Sequence, residues 1–124
     1  MIRALPRRFS LLCGDDPLFL PALSIGGVGL VSVVANLIPR SMRRIWDAWQ
    51  SGKREQAQAL FHRAYPLTQA IFFETNPIPV KWGLAHLGYI QNELRLPLVP
   101  MSEGGAKKFL PILTEVMPAE KENG

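Results

Sequence analysis

Cysteine is scarce in this chain, and no long run of like charge is present. Cys13 is the only cysteine among 124 residues, which excludes an internal disulfide and a cysteine-rich metal site and favours a reducing cytoplasm. The formal net charge of +4 is modest. The N-terminal segment lacks the apolar stretch and small-residue cleavage site of a signal peptide. With 48% hydrophobic residues, the composition indicates a compact globular chain and not a disordered one.

Charge is absent from residues 17–39, a stretch long enough to cross the core of a lipid bilayer. Three prolines and three glycines within it argue against a continuous helix, because proline removes a backbone donor and glycine lowers helix propensity. Broken at Gly26-Gly27, the stretch predicts a short helix followed by a buried strand. A small membrane protein is kept only as the third hypothesis for this chain.

The N-terminal part of the chain predicts a βαβ unit. Residues 9–13 form a short apolar run that ends at Gly14, which is typical of a strand buried on both faces. A helix is expected from Pro17 to about Ser24, and the β-branched residues of 28–35 are typical of a second buried strand. Strands joined by a helix in so few residues are parallel.

Helical periodicity dominates the rest of the chain. Ser41 is expected to cap a helix that ends near Gly52, and a longer amphipathic helix with Pro66 inside it follows. Two parallel strands cannot form a stable sheet alone, because both outer edges expose unpaired backbone groups. The sequence therefore looks like the later part of a larger α/β domain. Further helices are expected at 80–87 and 105–116, with a polar tail from residue 118.

Two carboxylates follow directly on the first predicted strand. Asp15 and Asp16 come after Gly14, at the strand end where parallel α/β folds bind their ligands. Such a pair is suited to bind a substrate amine or hydroxyl. The alternative, which local sequence favours, is that one aspartate caps the following helix and the other is solvated.

Other chemistry-bearing residues have simpler interpretations. His62 and His86 lie on separate predicted helices without ligand spacing, so no metal site is expected. Lys81 would be a Schiff-base amine only if desolvated, and a lysine in a first helical turn is more often exposed. Trp46 and Trp49 are interpreted as a core-facing stripe and not as a nucleic-acid-binding surface.

Four strings of residues, in this order and spacing, together resemble the dihydrodipicolinate synthase family, from about Phe9 to Ser102. The resemblance implies an eight-stranded β/α barrel followed by a C-terminal helical domain. Residues 1–51 would then be the last two β/α units of the barrel, 52–117 the helical domain and 118–124 a polar tail. The strings are Leu11-Leu12-Cys13-Gly14-Asp15-Asp16, Gly26-Gly27-Val28-Gly29-Leu30-Val31-Ser32-Val33-Val34-Ala35-Asn36, Asn76-Pro77-Ile78-Pro79-Val80-Lys81 and Leu94-Arg95-Leu96-Pro97.

The family condenses pyruvate with aspartate semialdehyde through a lysine Schiff base, in lysine and diaminopimelate biosynthesis. By resemblance, Val31 would offer its backbone carbonyl beside the pyruvate. Gly14, Asp15 and Asp16 would line the mouth where the aldehyde enters. No cofactor or metal is expected, and the expected partners are the two substrates, with a homo-oligomer or a complementing chain besides; neither nucleic acid nor membrane is expected.

The Schiff-base lysine of this family lies on a strand that has no counterpart in this sequence. Lys81 matches a family lysine outside the active site and is not a substitute. The leading hypothesis is therefore a truncated synthase that is inactive alone, because loss of a covalent nucleophile costs orders of magnitude in rate. The second hypothesis is an interaction protein that docks onto a partner chain through exposed strand edges.

Overall fold

The structure is a computed structural model that describes Pro6 and residues 9–121. Two short parallel strands lie near the start of the described chain, with one helix between them and four helices after them. Short 3₁₀ turns at Asp16–Leu18 and Val34–Asn36 follow the two strands. The described chain is thus α/β, as expected. Its elements are β1 (Leu12–Cys13), α1 (Phe19–Ser24), β2 (Gly29–Leu30), α2 (Pro39–Gln50), α3 (Arg54–Ala70), α4 (Ile78–His86) and α5 (Glu103–Lys121).

The two strands form the parallel βαβ pair that the sequence predicts, with Leu12 beside Gly29 and Cys13 beside Leu30. Their predicted lengths, 9–13 and 28–35, were wrong, because each strand has two residues. The Val31 amide still bonds the Cys13 carbonyl. The chain then turns away from the sheet, since the amides of Val33 and Val34 bond the Asp16 side chain instead. Burial on both faces was also wrong: Leu12 is 52% exposed.

The start of the second predicted helix differs from the structure in its cap. Helix α2 begins at Pro39, whose fixed φ suits a first helical position, and Ser41 lies inside the first turn. Ser41 is buried and hydrogen-bonded to another helix, so it does not cap its own helix. The predicted aromatic stripe is present, because Trp46 and Trp49 are partly buried against the core.

The last helix is longer than the sequence predicts. Helix α5 contains Pro111 and Pro118 and continues to Lys121, so the prediction of a helix ending near Val116 was wrong. Residues 118–121 of the predicted tail are helical, and Glu120 is buried. Residues 122–124 of that tail lie outside the described residues.

The core lies where α2, α3, α4 and α5 meet. Gly83 allows α4 to approach closely, because a Cβ there would lie 3.0 Å from Leu37 Cδ2 and 3.2 Å from Phe109 Cε1. Gly88, with φ of 79°, ends α4 where the sequence predicts a stop. Within Pro6 and residues 9–121, none of the helices combines the length and apolar character that a membrane crossing requires. The largest fully buried apolar side chains are Phe109, Ile38, Ile45, Leu67, Ile71 and Leu113.

Candidate functional site

The four residues predicted to bind substrate meet at the C-terminal ends of the two strands. Gly14, Asp15 and Asp16 follow β1 directly, and Val31 follows β2. The Val31 amide donates a hydrogen bond to the Cys13 carbonyl at 2.8 Å, which holds the two strand ends side by side. We call this set of four residues the rim. Parallel α/β folds bind their ligands at this end of the strands.

Asp16 connects the two halves of the rim. Its side chain is 1% exposed. One carboxylate oxygen accepts a hydrogen bond from the Ser32 hydroxyl, and the other accepts from the amides of Val33, at 2.9 Å, and Val34, at 3.1 Å. A buried carboxylate needs such donors, because an unpaired charge in the interior is very costly. The interpretation of one capping and one solvated aspartate was therefore wrong for Asp16.

The segment after β2 takes its shape from this carboxylate. The Ser32 hydroxyl also accepts a hydrogen bond from the Ala35 amide at 2.8 Å, and the Asn36 side chain donates to the Val33 carbonyl at 2.9 Å. These contacts close residues 32–36 into a turn directly after Val31. Asp16 thus fixes where the backbone of Val31 lies relative to Gly14 and Asp15.

The rim itself is open. Val31 is 65% exposed, and Asp15 is half-buried and makes no capping hydrogen bond to the turn that follows it. Two clefts, of about 580 and about 410 Å³, lie against the end of α5, and neither is lined by a rim residue. The rim can therefore offer the half-buried Asp15 carboxylate and backbone groups to a ligand, but these four residues alone do not enclose a ligand.

Of the other residues that could carry chemistry, Cys13 borders the rim, whereas Lys81 and His86 lie on α4. The Cys13 thiol donates to the Asp15 carbonyl at 3.2 Å. Lys81, in the first turn of α4, donates from its ammonium to the Glu93 carbonyl. His86 stacks on Trp82, with ring centroids 5.1 Å apart. In the part of the chain that the structure describes, no three histidine, cysteine or acidic side chains are grouped to hold a metal ion.

Sequence reasoning missed Glu120, which anchors the end of α5 to the start of α2. Its carboxylate accepts hydrogen bonds from the amides of Arg40 and Ser41 and from the Ser41 hydroxyl, each at 2.8 Å. In return, the Arg44 guanidinium donates to the Ala119 carbonyl at 2.9 Å. Both contacts complement the helix dipoles, with an anion at the start of α2 and a cation near the end of α5. No local pattern in the sequence signals a partner so distant in the chain.

Comparison with known proteins points to one family. The model of the dihydrodipicolinate synthetase family matches residues 1–116. The 4-hydroxy-tetrahydrodipicolinate synthase of Magnetococcus marinus is 46% identical over 100 residues, which are 81% of this chain and 34% of that protein. The enzyme of the same name from Thermodesulfovibrio yellowstonii is 42% identical over 113 residues, 91% of this chain and 39% of that protein. The chain thus spans little more than a third of the length of these relatives.

Solved structures give the same result at the level of the fold. A 4-hydroxy-tetrahydrodipicolinate synthase from Methylacidiphilum fumariolicum SolV superposes with a TM-score of 0.91 at 43% identity, covering 94% of this chain and 39% of that one. A dihydrodipicolinate synthase from Aquifex aeolicus superposes with a TM-score of 0.90 at 35% identity, covering 98% of this chain and 41% of that one. The described fold is therefore that of the matching part of these enzymes.

Proposed function

Because this chain belongs to the dihydrodipicolinate synthetase family, we propose that it supplies the C-terminal part of a lyase that condenses pyruvate with aspartate semialdehyde. In this proposal β1 and β2 are the last two strands of an eight-stranded β/α barrel. Residues 52–117 form the appended helical domain. Support comes from the sequence identity of the relatives and from the TM-score of 0.91.

The observation that carries the proposal is the meeting of Gly14, Asp15, Asp16 and Val31 at one edge of the parallel strands. Val31 offers its backbone carbonyl to the pyruvate-derived part of the substrate. Gly14 and Asp15 form the mouth through which the aldehyde enters. Asp16 contributes to that mouth by holding the rim together, since its carboxylate accepts hydrogen bonds from Ser32, Val33 and Val34.

We further propose that a polypeptide of these 124 residues does not perform the condensation by itself. A Schiff base requires an amine beside the pyruvate carbonyl. None of the four rim residues carries one, and the Lys81 ammonium is bound to the Glu93 carbonyl on a different part of the chain. In the assembled enzyme the reactive lysine would come from barrel strands other than β1 and β2.

The test uses the 124-residue polypeptide and a fusion. The fusion joins it behind the segment of the Magnetococcus marinus synthase that precedes the matched region. Each protein is incubated with pyruvate and borohydride, and its intact mass is measured. We expect a pyruvyl adduct and aldol condensation for the fusion and neither for the 124-residue polypeptide.

The role of the rim residue Asp15 is tested in the same fusion. Asp15→Ala is expected to raise the KM for aspartate semialdehyde while leaving the KM for pyruvate unchanged. Glu115→Ala, an exposed position on α5, is the matched control and should change neither. A folded fusion without activity contradicts the proposed function, and an adduct on the 124-residue polypeptide contradicts its inactivity.

A further inference from the structure

We propose that Ser32 is a positioning residue, whose hydroxyl group aims the backbone carbonyl of Val31 at the pyruvate-derived part of the substrate. Ser32 itself touches neither substrate and acts through the peptide group that joins it to Val31. This inference rests on the proposed function and adds a residue to it. It separates the side of the rim that serves pyruvate from the side that serves the aldehyde.

The Val31 carbonyl has no partner of its own among the residues that the structure describes. The Val31 amide donates to the Cys13 carbonyl at 2.8 Å, which fixes the residue on its amino side. The Val31 carbonyl oxygen accepts none of the hydrogen bonds found within Pro6 and residues 9–121. Because a peptide group is planar, the direction of this oxygen depends on how the neighbouring Ser32 is held.

The Ser32 hydroxyl is held from two sides. It donates to one oxygen of the Asp16 carboxylate and accepts from the Ala35 amide at 2.8 Å. A hydroxyl has a single hydrogen to donate, and here that hydrogen is directed to a carboxylate that is 1% exposed. The side chain therefore has one favoured orientation, which fixes the peptide group between Val31 and Ser32 on its carboxyl side.

The second oxygen of Asp16 separates the aiming of this carbonyl from the folding of the turn. That oxygen accepts from the amides of Val33, at 2.9 Å, and Val34, at 3.1 Å. These two contacts do not involve the Ser32 hydroxyl, so they remain when Ser32 is replaced by alanine. Ser32→Ala therefore leaves the turn after β2 closed and removes the restraint on the peptide group that carries the Val31 carbonyl.

The chemistry of pyruvate indicates which species this carbonyl recognises. The keto oxygen and the carboxylate of pyruvate only accept hydrogen bonds, so a carbonyl oxygen gains nothing from the free keto acid. When a lysine amine adds to the keto carbon, one proton is taken up and one water leaves, and the resulting iminium group carries one N–H and a positive charge. A correctly aimed carbonyl oxygen accepts from that N–H and attracts that charge. The Val31 carbonyl therefore favours the adduct over free pyruvate.

The experiment uses the fusion with the Magnetococcus marinus segment and matched serine variants. Ser32→Ala removes the hydroxyl, and Ser32→Thr keeps it. Ser24→Ala is the control, because the Ser24 hydroxyl donates to the Pro21 carbonyl at an exposed position on α1. The KM for each substrate, the yield of the borohydride-trapped pyruvyl adduct and the Tm are measured for each protein.

We expect Ser32→Ala to raise the KM for pyruvate roughly tenfold, because a misdirected carbonyl loses much of a hydrogen bond to a charged group. The yield of adduct at low pyruvate concentration should fall with it. The KM for aspartate semialdehyde should stay unchanged, since the Ser32 hydroxyl does not hold Asp15. Ser32→Thr and Ser24→Ala should match the unmodified fusion in both KM values.

Each outcome supports or overturns the inference. If Ser32→Ala matches an active, unmodified fusion, raises both KM values equally or does not fold, then Ser32 does not position the pyruvate side of the rim, and the proposed function stands. If Ser32→Thr behaves like Ser32→Ala, the hydroxyl is not the group responsible, and the inference is again overturned. A folded but inactive unmodified fusion overturns the proposed function itself, together with the inference that rests on it.

Discussion

Removing the Asp16 carboxylate tests whether this side chain holds the rim together. In Asp16→Ala the buried Val34 amide and the half-buried Val33 amide both lose their acceptor. An unsatisfied buried donor costs about 1–3 kcal/mol. The Val34 amide loses its acceptor without access to water, and the Val33 amide is partly rehydrated. Together they should lower the free energy of unfolding by roughly 3 kcal/mol. That is a large share of the roughly 5–15 kcal/mol typical of a folded domain.

Asp16→Asn should destabilise the chain less than Asp16→Ala does. In Asp16→Asn the remaining oxygen can accept from Val33 and Val34, and the new NH₂ group can face the Ser32 hydroxyl, which is able to accept. The charge is lost but no backbone donor is orphaned, so we expect a loss of about 1–2 kcal/mol. Asp15→Asn, a neighbouring carboxylate without a capping bond, is the control and should change stability by less than about 0.5 kcal/mol.

Two measurements check this reasoning on the 124-residue chain. Urea unfolding followed by tryptophan fluorescence gives the free energy of unfolding, because all three tryptophans lie on helices that pack together. Hydrogen exchange gives the protection of the Val33 and Val34 amides directly. An Asp16→Ala chain with unchanged stability and unchanged protection of these two amides would refute the role assigned to Asp16.

Two further changes test the helical part. Glu120→Ala removes the acceptor for two first-turn amides and one hydroxyl of α2, so the free energy of unfolding should fall by about 1–3 kcal/mol. Glu115→Ala is the exposed control. If urea titrations show equal losses of unfolding free energy in the two variants, Glu120 is not an anchor. In Gly83→Val two methyl groups are added where a Cβ alone would meet Leu37 and Phe109 within 3.3 Å. This overpacking should lower the free energy of unfolding by about 1–3 kcal/mol, measured by thermal unfolding. An unchanged Tm would show that α4 can shift freely.

The sequence predicted the elements of this fold better than their extents. The helix after β1 and the stop at Gly88 were both located, because proline, glycine and apolar spacing act locally. The second strand was predicted through residue 35 since β-branched residues favour strands. Its early end depends on the Asp16 carboxylate, a contact 17 and 18 residues away in the chain, and propensity carries no information about such a contact.

The four residues predicted to bind substrate lie together in the structure, and their membership of a substrate site stays a prediction. The strings that resemble the synthase family contain all four rim residues, and the structure brings them together. The local alternatives for Asp16, a cap or a solvated group, did not include a bond to the next loop. Glu120 was assigned to a polar tail that begins at Pro118. Its burial depends on the packing of α5 against α2.

The Glu120 anchor also bears on the order in which the chain folds. Its partners Arg40 and Ser41 are 80 and 79 residues away in sequence, whereas Asp16 closes a loop of fewer than twenty residues. Closing a long loop carries the greater entropic cost, and distant contacts slow folding. We therefore expect the contacts of the Asp16 carboxylate to form before α5 joins the start of α2, which completes the native packing.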